Sequence, residues 1–451
     1  GGGGGAGPWV ARAWGQAYVC LLALVYISCF LFSKQAYAAG GEPFDCNWIP
    51  EGGGANATEH DLSRLRVASF NVEWLFDGVD DPHYSPWYPG KTTCPGMKHC
   101  GTKEGAQEHI SKISEYVKLL NADILNLVEV EDCNILRELI SRSDISEYWP
   151  LLKKGIDTAT KQNVAMLTKV LPSEPLYRLE DKQAYPVEGS KCGYENSSGK
   201  RTTLSKNYVA HFRINGMTVA VHSLHLKAFP KDPYSCAKRE GQAKIAQASI
   251  QASIAKGHEV IVFGDFNDFS YEYLDVQGSV PKSDVLKILR DADSDGGADL
   301  VNTMESLEKH ERYTNWWDRN SNDVVDGTIE YSQIDHVLLT PKLATYVASV
   351  EVFHGYDPAL VSDHFPIVVN FDFGAGHGGE AAAAGQGASR GLEGASLAGG
   401  AGEADEADEG KVGPPMMGVI VGTVFVIVFV TTAVVWRRGA KKQSVTFRAI
   451  V

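Results

Sequence analysis

Short apolar runs that end in polar residues recur along the middle of the chain and predict buried β-strands. The clearest run is Val260–Phe263, which is followed by Gly264, Asp265 and Asn267. Such a run is typical of a strand inside a sheet, and Gly264 is predicted to stop it with a tight turn that presents Asp265 and Asn267. A carboxylate and an amide two residues apart suit a phosphate and its magnesium. The alternative is a plain Asp-Phe-Asn turn that closes an ordinary strand.

Other segments also have strand or helix patterns. A hairpin is predicted around the turn Asn215-Gly216, and its second arm carries His222 and His225. Strands are predicted over residues 65–72, 123–129, 163–168, 207–214, 217–226 and 334–339. Apolar residues at helical spacing predict helices near residues 110–120 and 238–256. Because the first two strands end near Asn71 and Glu129, polar side chains repeatedly fall at strand ends.

Two Asp-His pairs lie beside apolar runs farther along the chain. They are Asp335-His336 and Asp363-His364. A lone histidine near a strand is more often a hydrogen-bonded structural residue than a catalytic one. The order in which these pairs and the earlier polar residues occur therefore carries more weight than any one of them.

The start of the chain has the pattern of an export signal. The run 18–32 is apolar and uncharged, and Ala36-Tyr37-Ala38 supplies small residues for cleavage. We predict a signal peptide over residues 1–38. The alternative is an uncleaved signal anchor, since the uncharged run from Ala13 to Ser33 is long enough to span a bilayer.

A second apolar segment, near the other end, predicts a single transmembrane helix over residues 416–436. Residues 416–435 contain no charged side chain. The short tail 437–451 is basic, and basic residues stay on the cytoplasmic side, so we expect a single-pass type I protein whose catalytic domain is extracellular or lumenal. A buried core helix is the less favoured reading of residues 416–436.

One large domain is predicted between these segments. Residues 374–415 are rich in Gly, Ala and acidic residues and predict a flexible stalk, which leaves residues 39–373 without an internal repeat. The formal net charge of −14 argues against non-specific binding of nucleic acid through a broad basic face. It does not exclude a phosphodiester substrate, because metal ions and a few local cations can make that contact.

Cysteines and glycosylation patterns agree with export. Six cysteines lie outside the signal segment, and in an exported domain they predict up to three disulfides, with fifteen possible pairings. Cys94 and Cys100 flank Pro95-Gly96 and could close a small loop, whereas a zinc site is the weaker reading because no CxxC pair occurs. Asn56 and Asn196 begin Asn-x-Ser/Thr glycosylation patterns.

Taken in order, the motifs resemble those of the endonuclease/exonuclease/phosphatase superfamily, which has the deoxyribonuclease-I-like fold. The Gly-Asp-x-Asn and Ser-Asp-His-x-Pro elements are its most diagnostic parts. The resemblance covers about residues 65–372 and rests on Asn71, Glu129, His225, Gly264-Asp265-Phe266-Asn267, Asp335-His336 and Ser362-Asp363-His364-Phe365-Pro366. It implies an α/β fold, a four-layer sandwich of two mixed β-sheets flanked by helices, and metal-dependent cleavage of phosphate esters at one edge.

The resemblance also implies a role for each matching residue. The catalytic residues are His364, Asp335, Asp265 and His225. The expected metal ligands are Glu129, Asn71 and Asp363, and the expected phosphate contacts are Asn267 and Asn71. His222 is the less likely second histidine, and Glu73 lies where some members place an additional acid.

The physical chemistry of these side chains fits the implied roles. Mg²⁺ takes oxygen ligands and keeps waters, with Mn²⁺ or Ca²⁺ as other possible ions, so a carboxylate with a nearby amide suits it. Histidines are better used for proton transfer, and an Asp behind a His fixes its tautomer and stabilises the imidazolium.

The substrate is harder to infer. Phosphoinositide phosphatases of this family usually have Trp-x-Gly-Asp-x-Asn, whereas Val262 and Phe263 precede Gly264 here. Abasic-site repair enzymes act inside the cell and lack an export signal. We favour an endonuclease with nucleic acid as substrate; the alternatives are a sphingomyelinase-like phospholipid phosphodiesterase and an inactive surface binding module. Trp316 and Trp317 could stack on bases or touch lipid, although aromatic pairs are more often core.

Overall fold

The computed structural model describes residues 46, 47, 49, 59–79, 102–196 and 198–374. Within these ranges the helices are α1 (Lys103–Leu120), α2 (Cys133–Ser143), α3 (Pro233–Ala255), α4 (Val285–Arg290) and α5 (Pro341–Ala344). The strands are β1 (Glu59–His60), β2 (Arg64–Leu75), β3 (Ile124–Val130), β4 (Trp149–Leu151), β5 (Asn163–Thr168), β6 (Gln183–Ala184), β7 (Arg201–Thr202), β8 (Asn207–Ile214), β9 (Met217–His225), β10 (Glu259–Asp265), β11 (Val301–Asn302), β12 (Asn315–Trp316), β13 (Tyr331–Ser332), β14 (Asp335–Leu339), β15 (Val347–Val352) and β16 (Ile367–Asp372).

Two six-stranded sheets form the centre of the fold. The first has the order β1-β8-β9-β10-β14-β11, and the second has the order β15-β16-β2-β3-β5-β4. Both are mixed, because β10 runs parallel to β9 and antiparallel to β14, while β2 runs parallel to β3 and antiparallel to β16. The prediction of two mixed sheets is therefore confirmed.

Among the described residues, three large clusters of apolar side chains form the layers of the core, and a small fourth cluster surrounds the Cys192–Cys236 disulfide. Between the sheets, Phe212 and Phe263 share one buried cluster with Val128 and Met166. A second cluster joins the outer face of the β2–β3 sheet to α1 and α2, and a third joins the outer face of the β9–β10 sheet to α3 and α4. Both faces of the central strands β3, β5 and β10 are covered, which accounts for the apolar runs in the sequence and gives four layers of helix, sheet, sheet and helix.

Helix α3 begins earlier than the apolar spacing predicts. Asp232 caps it, because its side chain accepts a hydrogen bond from the backbone N–H of Ser235 at 2.7 Å, and Pro233 occupies the first turn. Proline at this position loses no helical hydrogen bond. The start near residue 238 was therefore wrong by five residues, because the prediction followed apolar spacing and missed the Asp-Pro start signal.

The described residues contain two disulfides, Cys46–Cys133 and Cys192–Cys236. Cys94 and Cys100 lie outside them, as do the predicted signal peptide, the transmembrane segment, the tail and all but the first residue of the stalk. Among the helices that the structure describes, none is long and apolar enough to cross a membrane.

Candidate active site

Five of the predicted site residues come together at one edge of the two sheets. In the first sheet, Asp265 is in register with His225 on β9 and with Asp335 on β14. In the second sheet, Asn71 lies in β2 and Glu129 near the end of the parallel strand β3. Sheet pairing thus converts residues far apart in the chain into neighbours, as expected for an active site at strand ends.

Gly264 does not end its strand, contrary to the prediction, since β10 continues through Asp265. Its φ is +130°, and a Cβ at this position would lie 2.0 Å from the carbonyl oxygen of Leu224 on β9. The glycine is therefore required because two backbones approach closely beside His225 and Asp265. A larger residue would push β9 away from β10 at the site.

His364 and Asp335 form the hydrogen-bonded pair that the motifs predict. Nδ1 of His364 lies 2.7 Å from Oδ2 of Asp335, and both side chains are buried. The backbone N–H of His364 donates to Ser362, and that of Asp335 donates to Thr314. Burial opposes protonation of the imidazole, but the neighbouring carboxylates outweigh it and raise the pKa of His364 well above its usual value. The ring is therefore held as an imidazolium with Nε2 directed away from Asp335.

Asp265 lies at the centre of the predicted residues. Its Oδ2 accepts a hydrogen bond from Nδ2 of Asn71 at 3.1 Å and lies 4.0 Å from Nε2 of His364. Its Oδ1 accepts the backbone N–H of Asn267 at 2.8 Å. Burial raises the pKa of Asp265 to about 7, and the negative charges of Asp335 and Glu129 add to this effect. A carboxyl group that exchanges a proton near neutral pH suits activation of a water molecule.

The side chain of Asn267 is hydrogen-bonded to the protein backbone, whereas the resemblance implies that it contacts a phosphate. Its φ is +52°, a left-handed conformation that asparagine tolerates better than most residues. Its Nδ2 donates to the carbonyl of Leu226 at 3.3 Å, directly after β9. The side chain therefore links the ends of β9 and β10 while lying next to Asp265.

Glu129 lies in a distorted part of the second sheet. It has a φ of +71°, and Glu73 and Trp74 on β2 have φ values of +46° and +50°. The pairing of β2 with β3 shifts register here, so the strands bulge. Oε2 of Glu129 accepts the backbone N–H of Trp74 at 3.0 Å, and Oε1 lies 3.7 Å from Nε2 of His225. This strained geometry aims the carboxylate across to the first sheet.

Glu73, which is buried, and Asp363, which is half-buried, add two more acids. The backbone N–H of Asp363 donates to Oε2 of Glu73 at 3.0 Å, while Oε1 of Glu73 and Oδ1 of Asp363 have no hydrogen-bond partner among the described residues. Burial raises the pKa of both carboxyl groups, for Asp363 to about 7. Oδ1 of Asp363 lies 3.9 Å from Nε2 of His364. The place that the sequence assigns to an additional acid is thus part of the site.

The donor atoms fit a hard divalent cation. Ligand atoms of Glu129, His225 and Asp265 lie within 4.8 Å of one another, and so do those of Asp265, Asp335 and His364. Oxygen atoms dominate both groups, and Oε1 of Glu73 and Oδ1 of Asp363 accept no hydrogen bond from the described residues. Converging carboxyl groups whose pKa values are raised by burial and by neighbouring negative charges are what a cation would stabilise.

Lys206 is a site residue that the sequence patterns missed. It is buried just before β8, where its Nζ lies 3.4 Å from Nε2 of His225 and donates to Gln162 at 3.1 Å. Oδ2 of Asp157 lies 3.6 Å from Nζ of Lys206. Burial and then Lys206 lower the pKa of His225 well below its usual value, so His225 is neutral. No motif surrounds Lys206, and a lysine in a loop is ordinarily exposed.

The remaining candidates lie outside this group of side chains. His222 is three residues from His225 and therefore on the opposite face of β9, where it is fully buried. Trp316 is buried and donates from Nε1 to Glu330 at 2.9 Å, which makes it a core residue, whereas Trp317 is 63% exposed. The lower rank of His222 thus agrees with the structure.

Comparison with known proteins identifies the family. The family model described as "Endonuclease/Exonuclease/phosphatase family" matches residues 68–364, well over half of the chain. The chain belongs to this family and is a hydrolase acting on phosphoester bonds. None of the curated protein sequences matches the chain.

Several solved structures are similar to it. A family member from Leptotrichia buccalis has 16% identity and a TM-score of 0.43, covering 68% of this chain and 100% of its own. An AP endonuclease from Archaeoglobus fulgidus has 16% identity and a TM-score of 0.44, covering 68% and 99%. A 3′ phosphatase from Neisseria bound to a product DNA hairpin has 13% identity and a TM-score of 0.43, covering 68% and 100%. These scores are low, so the family assignment rests on the sequence match.

Proposed function

We propose that this chain is a metal-dependent endonuclease that hydrolyses phosphodiester bonds of nucleic acids. The observation that carries the proposal is the His364–Asp335 hydrogen bond of 2.7 Å, which sets Nε2 of His364 4.0 Å from Asp265. A charged imidazole and a carboxyl group that titrates near neutral pH thereby face the same small volume. This pairing allows one group to activate water while the other stabilises or protonates a phosphate oxygen.

The other residues complete the chemistry. We assign Glu129, Asn71 and Asp363 as residues that hold Mg²⁺, with Mn²⁺ as a substitute. When bound, the cation supplies charge for the phosphate oxygens and lowers the barrier to attack by water. Asn71 and Asn267 orient Asp265 and the phosphate, and neutral His225, with Lys206 beside it, lies next to Asp265 and Glu129.

We further propose that the enzyme is a single-pass type I membrane protein with its catalytic domain outside the cytoplasm. Support comes from the sequence alone: the apolar segment at 18–32, the uncharged run over 416–435 and the basic residues that follow it. The two disulfides of the described chain agree with an oxidising compartment.

Parallel assays test the catalytic proposal. The purified full-length chain is given plasmid DNA, RNA, sphingomyelin and phosphoinositides, each with Mg²⁺ and each with excess chelator, and His364→Ala is the control. We expect internal cleavage of a nucleic acid that needs both the metal and His364. Turnover of sphingomyelin alone would replace the nuclease by a lipid phosphodiesterase, and no turnover of any substrate would favour a binding module.

A further inference from the structure

The loop between β9 and α3, residues 226–232, holds an aromatic ring in solvent beside the active site. Phe229 is 60% exposed, and its φ of +73° lies in the left-handed region. That conformation is unfavourable for a bulky L-residue and is usually left to glycine or asparagine. The fold keeps Phe229 in it without burying the ring, so core packing does not explain this residue.

A buried arginine holds the loop in this shape. Arg239 is fully buried and donates to the carbonyl oxygens of Lys227, Phe229 and Pro230 at 3.0, 3.0 and 2.9 Å. Its Nε donates to Oδ2 of Asp268 at 2.9 Å. Because Asp268 directly follows the Gly-Asp-Phe-Asn motif, Arg239 ties the loop to the catalytic strand end. The ring is thus preorganised relative to the site.

Lys227 places positive charge beside this ring, and Lys238 lies beside the nearby Tyr234, although the whole chain is acidic. Nζ of Lys227 lies 5.0 Å from the ring centre of Phe229, and Nζ of Lys238 lies 5.9 Å from that of Tyr234. Partial burial lowers the pKa of Lys227, and the positive charge of Lys238 adds to this effect. Lys227 is also two residues from His225, whose pKa it helps to lower. We name Lys227, Phe229, Tyr234 and Lys238 the Phe229 ledge.

We propose that the Phe229 ledge binds an unpaired nucleobase next to the scissile phosphate, with the base stacked on Phe229 and neighbouring phosphates bound by Lys227 and Lys238. This inference rests on the proposed nuclease function. An exposed ring flanked by cations is the arrangement by which proteins bind single strands. Bases in a duplex are already stacked and paired, so the ledge favours single-stranded over double-stranded substrates.

The same ledge is less suited to a lipid surface. Within residues 226–233, Phe229 is the only exposed large apolar side chain, and the exposed Asp232 lies beside it. Binding to a membrane interface needs a broader apolar face and is opposed by acidic groups. One ring matches the size of one base.

Binding measurements on the full-length chain in the His364→Ala background, with Mg²⁺ present, test the stacking contact. The probes are a fluorescent single-stranded oligodeoxynucleotide, its duplex, and a strand of equal length with abasic sites in place of bases. We expect Phe229→Leu, which keeps apolar volume but removes the aromatic face, to weaken binding of the base-containing strand ~10-fold. Phe229→Trp should keep that affinity, and neither change should alter binding of the abasic strand.

Lysine variants test the phosphate contacts. Lys238→Gln should weaken binding of both single strands and reduce the salt dependence of binding. Lys256 is the matched control, since it is exposed at the other end of α3, ~27 Å away along the helix. Lys256→Gln should leave both affinities unchanged.

The outcomes separate the ledge from the catalytic proposal. Equal binding of the base-containing strand by Phe229→Leu and its parent would overturn base stacking. Loss of binding to phosphatidylserine-containing vesicles in Phe229→Leu, with strand binding unchanged, would make the ledge a membrane contact instead. A cleavage assay tests the nuclease function separately. If that function is wrong, the unsubstituted chain will leave single-stranded DNA and RNA uncut in Mg²⁺.

Discussion

The ammonium group of Lys206 lies 3.4 Å from Nε2 of His225, in the buried wall of the candidate active site. Burial lowers the pKa of Lys206, and the carboxylates of Asp157, Glu129 and Asp265 oppose that effect. Burying a charged ammonium group costs free energy unless negatively charged groups lie nearby. Two of the acids near Lys206, Glu129 and Asp265, are also residues of the candidate site. The arrangement places a buried ammonium group beside His225, among the acids of the candidate site.

Removing this charge should slow catalysis. Lys206→Met should lower kcat/KM for a phosphodiester by ~10²-fold, the usual effect of losing one charge-stabilising donor. Lys206 also lowers the pKa of His225, so the variant should have the acidic limb of its pH–rate profile at higher pH. Asp157→Asn is the control that keeps the lysine. If both variants only lowered the melting temperature and kept normal turnover per folded molecule, Lys206 would be structural.

The His364–Asp335 pair should behave as one catalytic unit. His364→Ala should lower turnover by ~10²- to 10⁴-fold, the range for general acid–base catalysis, without unfolding the protein. Asp335→Asn should also slow the reaction, because an amide can favour the wrong tautomer and does not stabilise the imidazolium. The double variant should be no slower than the worse single variant.

Steady-state kinetics and melting temperatures of the three variants check this prediction. His310→Ala is a suitable control, because the side chain of His310 is 77% exposed. Normal turnover by folded His364→Ala would remove the proposed mechanism.

Divalent metal should bind and be required. Excess chelator should abolish turnover, and Mg²⁺ or Mn²⁺ should restore it. Binding should also raise the melting temperature, because a cation stabilises the ionised forms of Asp265 and Asp363, whose pKa values burial and neighbouring negative charges raise to about 7. Glu129→Gln should lose most of the thermal shift. Full activity in chelator, or an equal shift in the variant, contradicts the assignment.

Stability should fall in mild acid because of buried neutral histidines. Burial and then His211 lower the pKa of His222 to about 3, from an ordinary value of 6.5. Between these values the unfolded chain binds the extra proton, so the free energy of unfolding decreases as pH falls below 6.5, by ~1.4 kcal/mol per pH unit for one such histidine. His109 and His336, with pKa values lowered to about 4 chiefly by burial, act in the same direction.

Urea unfolding at a series of pH values measures this slope. His222→Leu should reduce it by about one proton's contribution between pH 6.5 and ~4. His310→Gln, at an exposed position, should leave the slope unchanged. An unaltered slope in His222→Leu would mean that His222 is protonated in the native state.

The proposed topology predicts which part of the chain a protease can reach. Protease added to intact cells should digest the catalytic domain and spare the tail after Trp436, because basic residues that follow an apolar span stay in the cytoplasm. An epitope tag before Cys46 detects the catalytic domain, and a second tag after Val451 detects the tail. A domain protected in intact cells and cut only after permeabilisation contradicts an extracellular location, and protection inside sealed vesicles would identify a lumenal one.

Much of the fold follows from local patterns in the sequence. In the predicted hairpin, β8 ends directly before the Asn215-Gly216 turn and β9 begins directly after it. Strand β5 spans the predicted residues. Strands buried on both faces produce uninterrupted apolar runs, and tight hairpin turns favour a small set of residue types. Both elements can therefore be predicted from short stretches of sequence. The order of the motifs likewise identifies the family and its phosphoester chemistry.

Tertiary structure decides what local patterns do not encode. Sheet pairing sets Asp265 beside His225 and Asp335, and the same pairing explains Gly264 as a site of close backbone contact rather than a strand end. Lys206 gains its significance only from burial beside His225, and Phe229 only from the arginine that holds its loop. Such relationships depend on distances between residues far apart in the chain, and spacing along the sequence does not contain those distances.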